Sequence, residues 1–521
     1  MSTTSGDIKI YGLNTGAGTE DYGVFFQNAT VGLTTNTGAI TLTGSGGNGA
    51  SADGVKIRTG STIISTGTGS GVGAITLIGT NASSTGGIDV IAGASITTQD
   101  ADVVLQAAPG AGIALGGGIV QTNGSNATKG NVTLIGDAAY FPTAPNTVSA
   151  TGALTFRPST PGATMGVGSG GGTLKVTDAA LADFHAGSYV FGSTGTGNLT
   201  VTSGFDFGDA SVTFLSGGNI SLAGTLTKQS GTATVNYIFD AYGDITNSNS
   251  AGITAFTSSP TTAHGAINVT LQSNFDGETV NGGAVNLSGG TIATNGGTIT
   301  IGGGTTTPTG SVLDANGNIT TTATGFALGD AANVIGVNIA DTLDATGTGV
   351  GGTILINGKG YAAGTGNTND GVSISGIVKT SNAGTINING IGQGTGAGAS
   401  NYGVVLSSGT VSTTGTGNIS LVGQGGGAGA SGTNQIGIFS SSGTITGAGG
   451  GIFINGTAGA SSGSGNRGVL IRSSTVTNTG TGAMIVVGVG AGTSTSNYGI
   501  SIDTGSLLST QKGQLELYGT G

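Results

Sequence analysis

NYGVVLSSGTVSTTGTGNISLVGQGGGAGASGTN, residues 401–434, contains three short aliphatic segments followed by a glycine-rich tail. Apolar residues alternate with other residues in the first and third segments, and one valine marks the centre of the second. Alternation with a period of two is typical of a β-strand that buries one face. The sequence therefore predicts three strands, with inward-facing Val404, Leu406, Val411, Ile419 and Leu421.

A tripeptide recurs along the chain at a nearly constant interval. It is usually an aromatic or polar residue, then glycine, then an aliphatic residue, and we call it the anchor. Its glycines are Gly23, Gly54 and Gly87 near the N-terminus and Gly371, Gly403, Gly437, Gly468 and Gly499 near the C-terminus. Strands this short fold only when they stack on one another. The chain is therefore predicted to form an all-β parallel β-solenoid, with about three short strands per coil and a coil period of about 31–34 residues.

Two sequence features mark the predicted corners of each coil. The tail at residues 423–434 is predicted to be a long return corner, neither a linker nor a phosphate-binding loop, because glycine adopts the positive φ that corners need. Asn begins many strands and is followed by an aliphatic residue and Ser or Thr, as at Asn131, Asn198, Asn219, Asn268 and Asn418. Asn side chains can hydrogen-bond their own turn or stack along a ladder. The pattern also predicts an inward Ser440 and outward Phe439 and Phe453.

Composition excludes several classes of protein. Glycine supplies 111 of 521 residues, charged residues make up 7%, and 36% are hydrophobic. Disordered chains are highly charged, so these aliphatic residues are expected to be buried. The net charge of −11 argues against a nucleic-acid partner, which requires clustered Lys and Arg. The absence of cysteine excludes disulfides and thiolate metal sites. No apolar run approaches the roughly 20 residues of a membrane span.

We divide the chain into four segments. These are β-solenoid repeats at 1–135, an irregular proline-containing join at 136–165, a divergent β-solenoid section at 166–345 and regular repeats at 346–521. Four of the seven prolines lie between Pro142 and Pro161. Continuous stacking is expected, because an open solenoid end exposes unpaired backbone. Neither terminus shows a capping segment and the first residues do not form a signal peptide, so we expect a fragment of a longer protein or a stacking subunit.

Two stretches carry a resemblance to a known family. Residues 166–200, GVGSGGGTLKVTDAALADFHAGSYVFGSTGTGNLT, and residues 239–246, FDAYGDIT, resemble segments of bacterial filamentous-haemagglutinin-like exoproteins and related giant β-strand-repeat surface proteins. Within the first, Thr177 or Asp178 is placed to cap a single helical turn.

The resemblance implies a right-handed parallel β-helix that is extracellular or on the bacterial cell surface, with a role in adhesion or surface structure. The secretion-recognition domain expected at the N-terminus of such proteins is missing from this chain. The expected partners are neighbouring coils of a longer parent chain, copies of the chain end to end, or cell-surface glycans and other cells.

Few residues suggest catalysis. Some parallel β-helices degrade polysaccharides as lyases or hydrolases, using clustered carboxylates on an exposed strand face. The candidates here are Asp206 with Asp209 and Asp276 with Glu278, and solvated turns account for both pairs. The two histidines, His185 and His264, lack evident partners. We predict a non-catalytic protein with no catalytic, cofactor-binding or metal-binding residues, and keep the polysaccharide-degrading enzyme and the self-assembling filament subunit as alternatives.

Three further motifs are weak. Residues 44–49 match a dinucleotide fingerprint, but no helix is predicted after them. Residues 46–54 are similar to a calcium-binding nonapeptide, but the aspartates do not recur in register. Threonines at 298, 300 and 305–307 suggest a water-ordering ladder, which would require Thr at one position in every coil. None of the three changes the prediction.

Overall fold

The computed structural model describes residues 1–27, 32–49, 51–81, 86–124, 130–141, 148–202, 204–248, 250–255, 264–277, 282–304, 312–313, 319–321, 325–395, 399–427 and 431–521. It divides into two compact units, Met1–Gly218 and Asn219–Gly521. Each unit is built from short parallel strands stacked coil on coil, which confirms the predicted β-solenoid. The four predicted segments are not tested by this division and stay a prediction.

The first unit contains 21 strands in its described residues. They are β1 (Ser2–Thr3), β2 (Ile8–Leu13), β3 (Val24–Phe26), β4 (Gly32–Thr35), β5 (Ile40–Gly46), β6 (Val55–Ile57), β7 (Thr62–Ser65), β8 (Ile75–Asn81), β9 (Ile88–Ile91), β10 (Ser95–Thr98), β11 (Val103–Ala107), β12 (Gly112–Gly116), β13 (Ile119–Thr122), β14 (Val132–Ile135), β15 (Ala138–Tyr140), β16 (Val148–Arg157), β17 (Met165–Val167), β18 (Leu174–Val176), β19 (Phe184–Ser193), β20 (Leu199–Val201) and β21 (Ser211–Ser216).

Three parallel ladders organise these strands, one for each strand of the coil. The first ladder is β3–β6–β9–β12–β15, the second is β1–β4–β7–β10–β13–β16, and the third is β2–β5–β8–β11–β14–β16. Strand β16 belongs to two ladders, because Val148 pairs with Val120 and Leu154 pairs with Val132. It is followed by β19 and then β21, while β17 pairs with both β18 and β20. The predicted join at 136–165 therefore contains paired strands.

The single helix in the described residues is α1 (Asp178–Leu181). Its N-cap is Thr177, whose side-chain oxygen accepts a hydrogen bond from the Ala180 N–H at 3.2 Å. The predicted helical turn is thereby confirmed. Nearby, the buried rings of Phe156, Phe191 and Phe214 stack from coil to coil, with centroids 5.6 and 5.4 Å apart.

The second unit contains 30 strands in its described residues. They are β22 (Ile220–Leu222), β23 (Thr225–Lys228), β24 (Val235–Ala241), β25 (Ile245–Asn247), β26 (Gly252–Ala255), β27 (Ile267–Ser273), β28 (Val285–Leu287), β29 (Thr291–Ala293), β30 (Ile299–Gly303), β31 (Val312–Leu313), β32 (Ile319–Thr321), β33 (Ala327–Leu328), β34 (Val337–Ile339), β35 (Thr342–Ala345), β36 (Ile354–Lys359), β37 (Val372–Ile374), β38 (Ile377–Thr380), β39 (Ile386–Ile391), β40 (Val404–Ser407), β41 (Thr410–Thr413), β42 (Ile419–Gln424), β43 (Ile438–Ser441), β44 (Thr444–Gly447), β45 (Ile452–Thr457), β46 (Val469–Arg472), β47 (Thr475–Asn478), β48 (Met484–Val489), β49 (Ile500–Ile502), β50 (Leu507–Thr510) and β51 (Leu515–Thr520).

Its three ladders are also parallel. The first strands stack as β22–β25–β28–β34–β37–β40–β43–β46–β49, the second as β23–β26–β29–β35–β38–β41–β44–β47–β50, and the third as β24–β27–β30–β36–β39–β42–β45–β48–β51. Val404 pairs with Ile438, which pairs with Val469 and so on to Ile500, as the anchor spacing predicts.

One coil of the second unit departs from the predicted period. Val285 pairs with Val337, which lies 52 residues further along the chain, so this coil is about 20 residues longer than its neighbours. The antiparallel pair β31–β32 belongs to the additional sequence. A solenoid tolerates such an insertion because strand register depends on the paired segments and not on corner length.

The core confirms the inward residues predicted from the opening stretch. Val404, Leu406, Val411, Ile419 and Leu421 are all completely buried. Ser440 is buried as well, 3.0 Å from the hydroxyl of Ser474, which satisfies the inward polar group. Phe439 and Phe453 remain partly exposed, as predicted.

The Asn residues at strand starts link successive coils through the backbone. In four cases the side-chain oxygen accepts the N–H of the residue one coil later, at 2.7–3.0 Å. The pairs are Asn131 with Ala153, Asn219 with Asp244, Asn268 with Thr298, and Asn418 with Gly451. Asn268 also donates from Nδ2 to Asn236 Oδ1 at 3.0 Å. The predicted corner role of Asn is confirmed at these positions.

Candidate functional site

The anchor glycine fixes the backbone where the first strand of a coil begins. A Cβ atom on Gly403 would lie 2.5 Å from the Gly437 carbonyl oxygen and 2.7 Å from the Gly423 carbonyl carbon. Both atoms belong to backbone segments packed against Gly403, so a side chain is excluded. The anchor residue before the glycine and the alternate residues of the following strand therefore occupy fixed places on the outside of the coil.

Five outer residues of the regular coils form what we call the C-terminal strip: Tyr402, Phe439, Arg467, Arg472 and Tyr498. The rings of Tyr402 and Phe439 are tilted, with centroids 5.1 Å apart. Arg472 Cζ lies 5.6 Å from the centre of the Phe439 ring, and Arg467 Cζ lies 5.8 Å from that of Tyr498. These are cation–π distances. The strip thus combines aromatic faces with two guanidinium groups.

Apolar residues support the C-terminal strip from within the same ladder. Phe439 pairs in register with Val405 on one side and Leu470 on the other. The strand pleat directs both aliphatic side chains outward, yet Val405 is only 7% exposed and Leu470 only 1%. Their position beside the aromatic ring accounts for this burial and gives the strip a packed base.

The two arginines of the C-terminal strip differ in their partners. Arg472 Nε donates to Asp503 Oδ2 at 3.1 Å. Burial opposes ionisation of Asp503, but hydrogen bonds from Ser501 and Arg472 outweigh it and lower the pKa of that carboxyl. Arg467 has no ion-pair partner in the described part of the chain, and its Nε is buried without a hydrogen-bond partner there. One cation of the strip is therefore neutralised and the other is not.

A second group lies on the first-strand ladder of the first unit, and we call it the N-terminal strip: Tyr22, Phe25, Lys56 and Arg58. The rings of Tyr22 and Phe25 are 4.8 Å apart. Lys56 Nζ lies 5.0 Å from the centre of the Tyr22 ring, and Arg58 Cζ lies 5.1 Å from that of Phe25. The same part of the coil thus carries aromatic and cationic residues in both units.

Both cations of the N-terminal strip have acidic partners. Lys56 Nζ lies 2.9 Å from Asp53 and 2.8 Å from Asp89, and Arg58 lies 3.5 Å from Glu20. Burial alone would lower the pKa of Lys56, but the hydrogen bonds to the two aspartates outweigh it and raise that pKa. This strip is therefore electrostatically closed, unlike its C-terminal counterpart.

The sequence residues proposed for catalysis are not assembled into one centre by the described structure. Asp206 Oδ1 accepts the Gly208 N–H at 3.0 Å within its own turn, and Asp209 is exposed. Asp276 is exposed in a turn, while Glu278 lies outside the described residues. His185 is exposed on β19. Among the described residues, no three His, Cys, Asp or Glu side chains are grouped so that they could hold a metal ion.

The glycine and threonine motifs occupy structural positions. Gly44 and Gly46 are part of β5, and the next element is the strand β6 instead of a helix. Residue 50 of the nonapeptide-like stretch and Thr305, Thr306 and Thr307 lie outside the described residues. Thr300 pairs with Leu355, so threonine does not continue at that position in the next coil.

Sequence reasoning located the anchors but missed both strips. A signal was present, because the first anchor residue is Tyr22, Tyr402, Arg467 or Tyr498 in four coils. Comparisons with family models, with curated proteins and with solved structures give no match to this chain. Within the described residues, no helix has the length and apolar character required to cross a bilayer.

Proposed function

We propose that this chain is a non-catalytic structural repeat protein of the bacterial cell surface, a rigid scaffold whose outer strips bind glycans. The observation that carries the proposal is the recurrence of aromatic and cationic side chains on the first-strand ladder of both units. Their resemblance-based context, filamentous-haemagglutinin-like surface exoproteins, supports an extracellular location and an adhesive role. The net charge of −11 supports a partner other than nucleic acid.

The physical basis is preorganisation. Stacked strands repeat about every 4.8 Å, so the strip residues are held at fixed spacing by the ladders beneath them. Aromatic side chains offer large contact area at low entropic cost and, in tyrosine, a hydrogen-bonding hydroxyl. A polymer with repeating sugar units could contact several strip residues at once, and the resulting avidity would exceed that of any single contact. Stacking with copies of the chain or with further coils stays a separate prediction.

A glycan array probed with the purified chain tests the proposal. We expect binding to one or more immobilised glycans, and at least a tenfold loss in the Phe439→Ala/Tyr498→Ala double variant, since stacked aromatic groups commonly contribute about 1 kcal/mol each. Thr446→Ala is the matched control, because Thr446 faces outward on the second-strand ladder. Equal binding by the double variant and the wild type would exclude the C-terminal strip as the glycan site.

A further inference from the structure

We propose that the C-terminal strip selects glycans that carry a carboxylate, and that Arg467 is the residue that holds it. This inference rests on the proposed glycan-binding function and names the ligand class of the same strip. It begins from the difference between the two arginines.

The first step concerns unused hydrogen-bonding capacity. A buried polar atom nearly always has a hydrogen-bond partner, because desolvating it without one costs about 1–3 kcal/mol. Arg467 Nε is such an atom, and it has no partner in the described part of the chain. Arg472 Nε, one strand position away on the same coil face, is satisfied by Asp503. Arg467 is therefore the group of the strip that a ligand would complete.

The second step concerns the shape and charge of the ligand. A guanidinium presents parallel N–H groups that match the two oxygens of a carboxylate. Its neighbour Tyr498 is 51% exposed and lies 5.8 Å from the guanidinium carbon, which leaves an aromatic face available beside the charge. A flat sugar ring with a carboxyl substituent can use both features together.

The third step argues against a general polyanion site. Binding a highly charged polymer requires clustered cations, and here Arg472 is already paired while Asp503 contributes a negative charge nearby. The chain as a whole is also acidic, with a net charge of −11. One unpaired cation matches one negative charge per ligand unit. In the N-terminal strip every cation has an acidic partner, so no such preference is expected there.

The test compares polygalacturonate with its methyl-esterified form, which has the same sugar units with the carboxylates masked. Affinity of the full chain for each polymer is measured by biolayer interferometry at low and moderate salt. We expect about tenfold or tighter binding to the free acid, consistent with a charge-assisted hydrogen-bond pair. Arg467→Gln should abolish that preference and Arg467→Lys should restore part of it. The charge-matched control Arg472→Gln/Asp503→Asn should retain it.

The outcomes separate the two proposals. Equal binding of both polymers by the wild type, with loss in Phe439→Ala/Tyr498→Ala, would overturn the carboxylate inference and leave glycan binding intact. Retention of the full preference by a folded Arg467→Gln variant would also overturn it. Tighter binding to dextran sulfate than to polygalacturonate would show a general anion site and contradict the inference. A failure to bind any glycan on the array would remove the proposed function itself.

Discussion

The buried carboxyl of Asp370 predicts a pH dependence that can be calculated from its surroundings. Asp370 is the first residue of an anchor, is only 4% exposed, and its Oδ1 accepts the Tyr402 N–H at 2.7 Å. Burial raises its pKa to about 7, although the hydrogen bond from Tyr402 acts in the opposite direction. In the unfolded chain an aspartate has a pKa near 3.9. The folded state therefore retains a proton that the unfolded state releases.

The sign and size of the effect follow from linkage. Because the folded pKa is the higher one, the stabilising contribution is fully present below about pH 4 and is lost as the pH rises to about 7. A difference of about three pKa units corresponds to about 4 kcal/mol, which is an upper bound for this site. Asp370→Asn keeps an oxygen acceptor for the Tyr402 N–H and removes the titration. The variant should match the wild type near pH 4 and exceed it in stability at pH 8.

Hydrogen exchange of peptides covering residues 370–404 measures this effect locally, because coils of a solenoid are stabilised chiefly by their neighbours. The quantity compared is the opening free energy of wild type and Asp370→Asn at pH 5 and pH 8, after correction for the intrinsic exchange rate. Asp276→Asn, at an exposed turn, is the control and should behave as the wild type. The reasoning is refuted if Asp370→Asn and wild type lose the same opening free energy between the two pH values.

Three further substitutions test the packing of the coils. Gly403→Ala should destabilise its region by about 2 kcal/mol or more, because the new Cβ would lie 2.5 Å from backbone, whereas Gly366→Ala has no atom within 4 Å of its new Cβ and should be nearly neutral; urea midpoints compare them. Thr380→Val should cost about 1–2 kcal/mol, since its buried hydroxyl donates to a main-chain carbonyl at 2.6 Å. Thr413→Val, in the paired position of the next coil, removes a buried hydroxyl without a hydrogen-bond partner in the described structure and should be neutral or stabilising. A cost at Thr413 equal to that at Thr380 would contradict the hydrogen-bond argument, and a tolerated Gly403→Ala would contradict the packing argument.

The strands and their inward faces could be predicted because they depend on local alternation. Val404, Leu406 and Val411 are separated from polar residues by a period of two, and burial follows directly. The long coil between Val285 and Val337 could not be predicted in the same way, since corner length leaves no periodic signal. The anchor spacing therefore describes the regular repeats better than the divergent section.

The strips were harder to predict because they depend on register between coils. Phe439 and Leu470 are 31 residues apart in sequence and become neighbours only when their strands pair. The different states of Arg467 and Arg472 depend on Asp503, which belongs to the next coil. Alternation identifies which residues face outward, but it does not indicate which of them have partners.

The central claim is that the chain binds a glycan along an outer strip without cleaving it. The most direct measurement is size-exclusion chromatography with light scattering of the chain mixed with a soluble polysaccharide selected on the array. The account predicts a complex with the wild type, a weaker one with Phe439→Ala/Tyr498→Ala, and an unchanged polysaccharide length after prolonged incubation. Shortened polysaccharide chains, or a complex unaffected by the double variant, would contradict it.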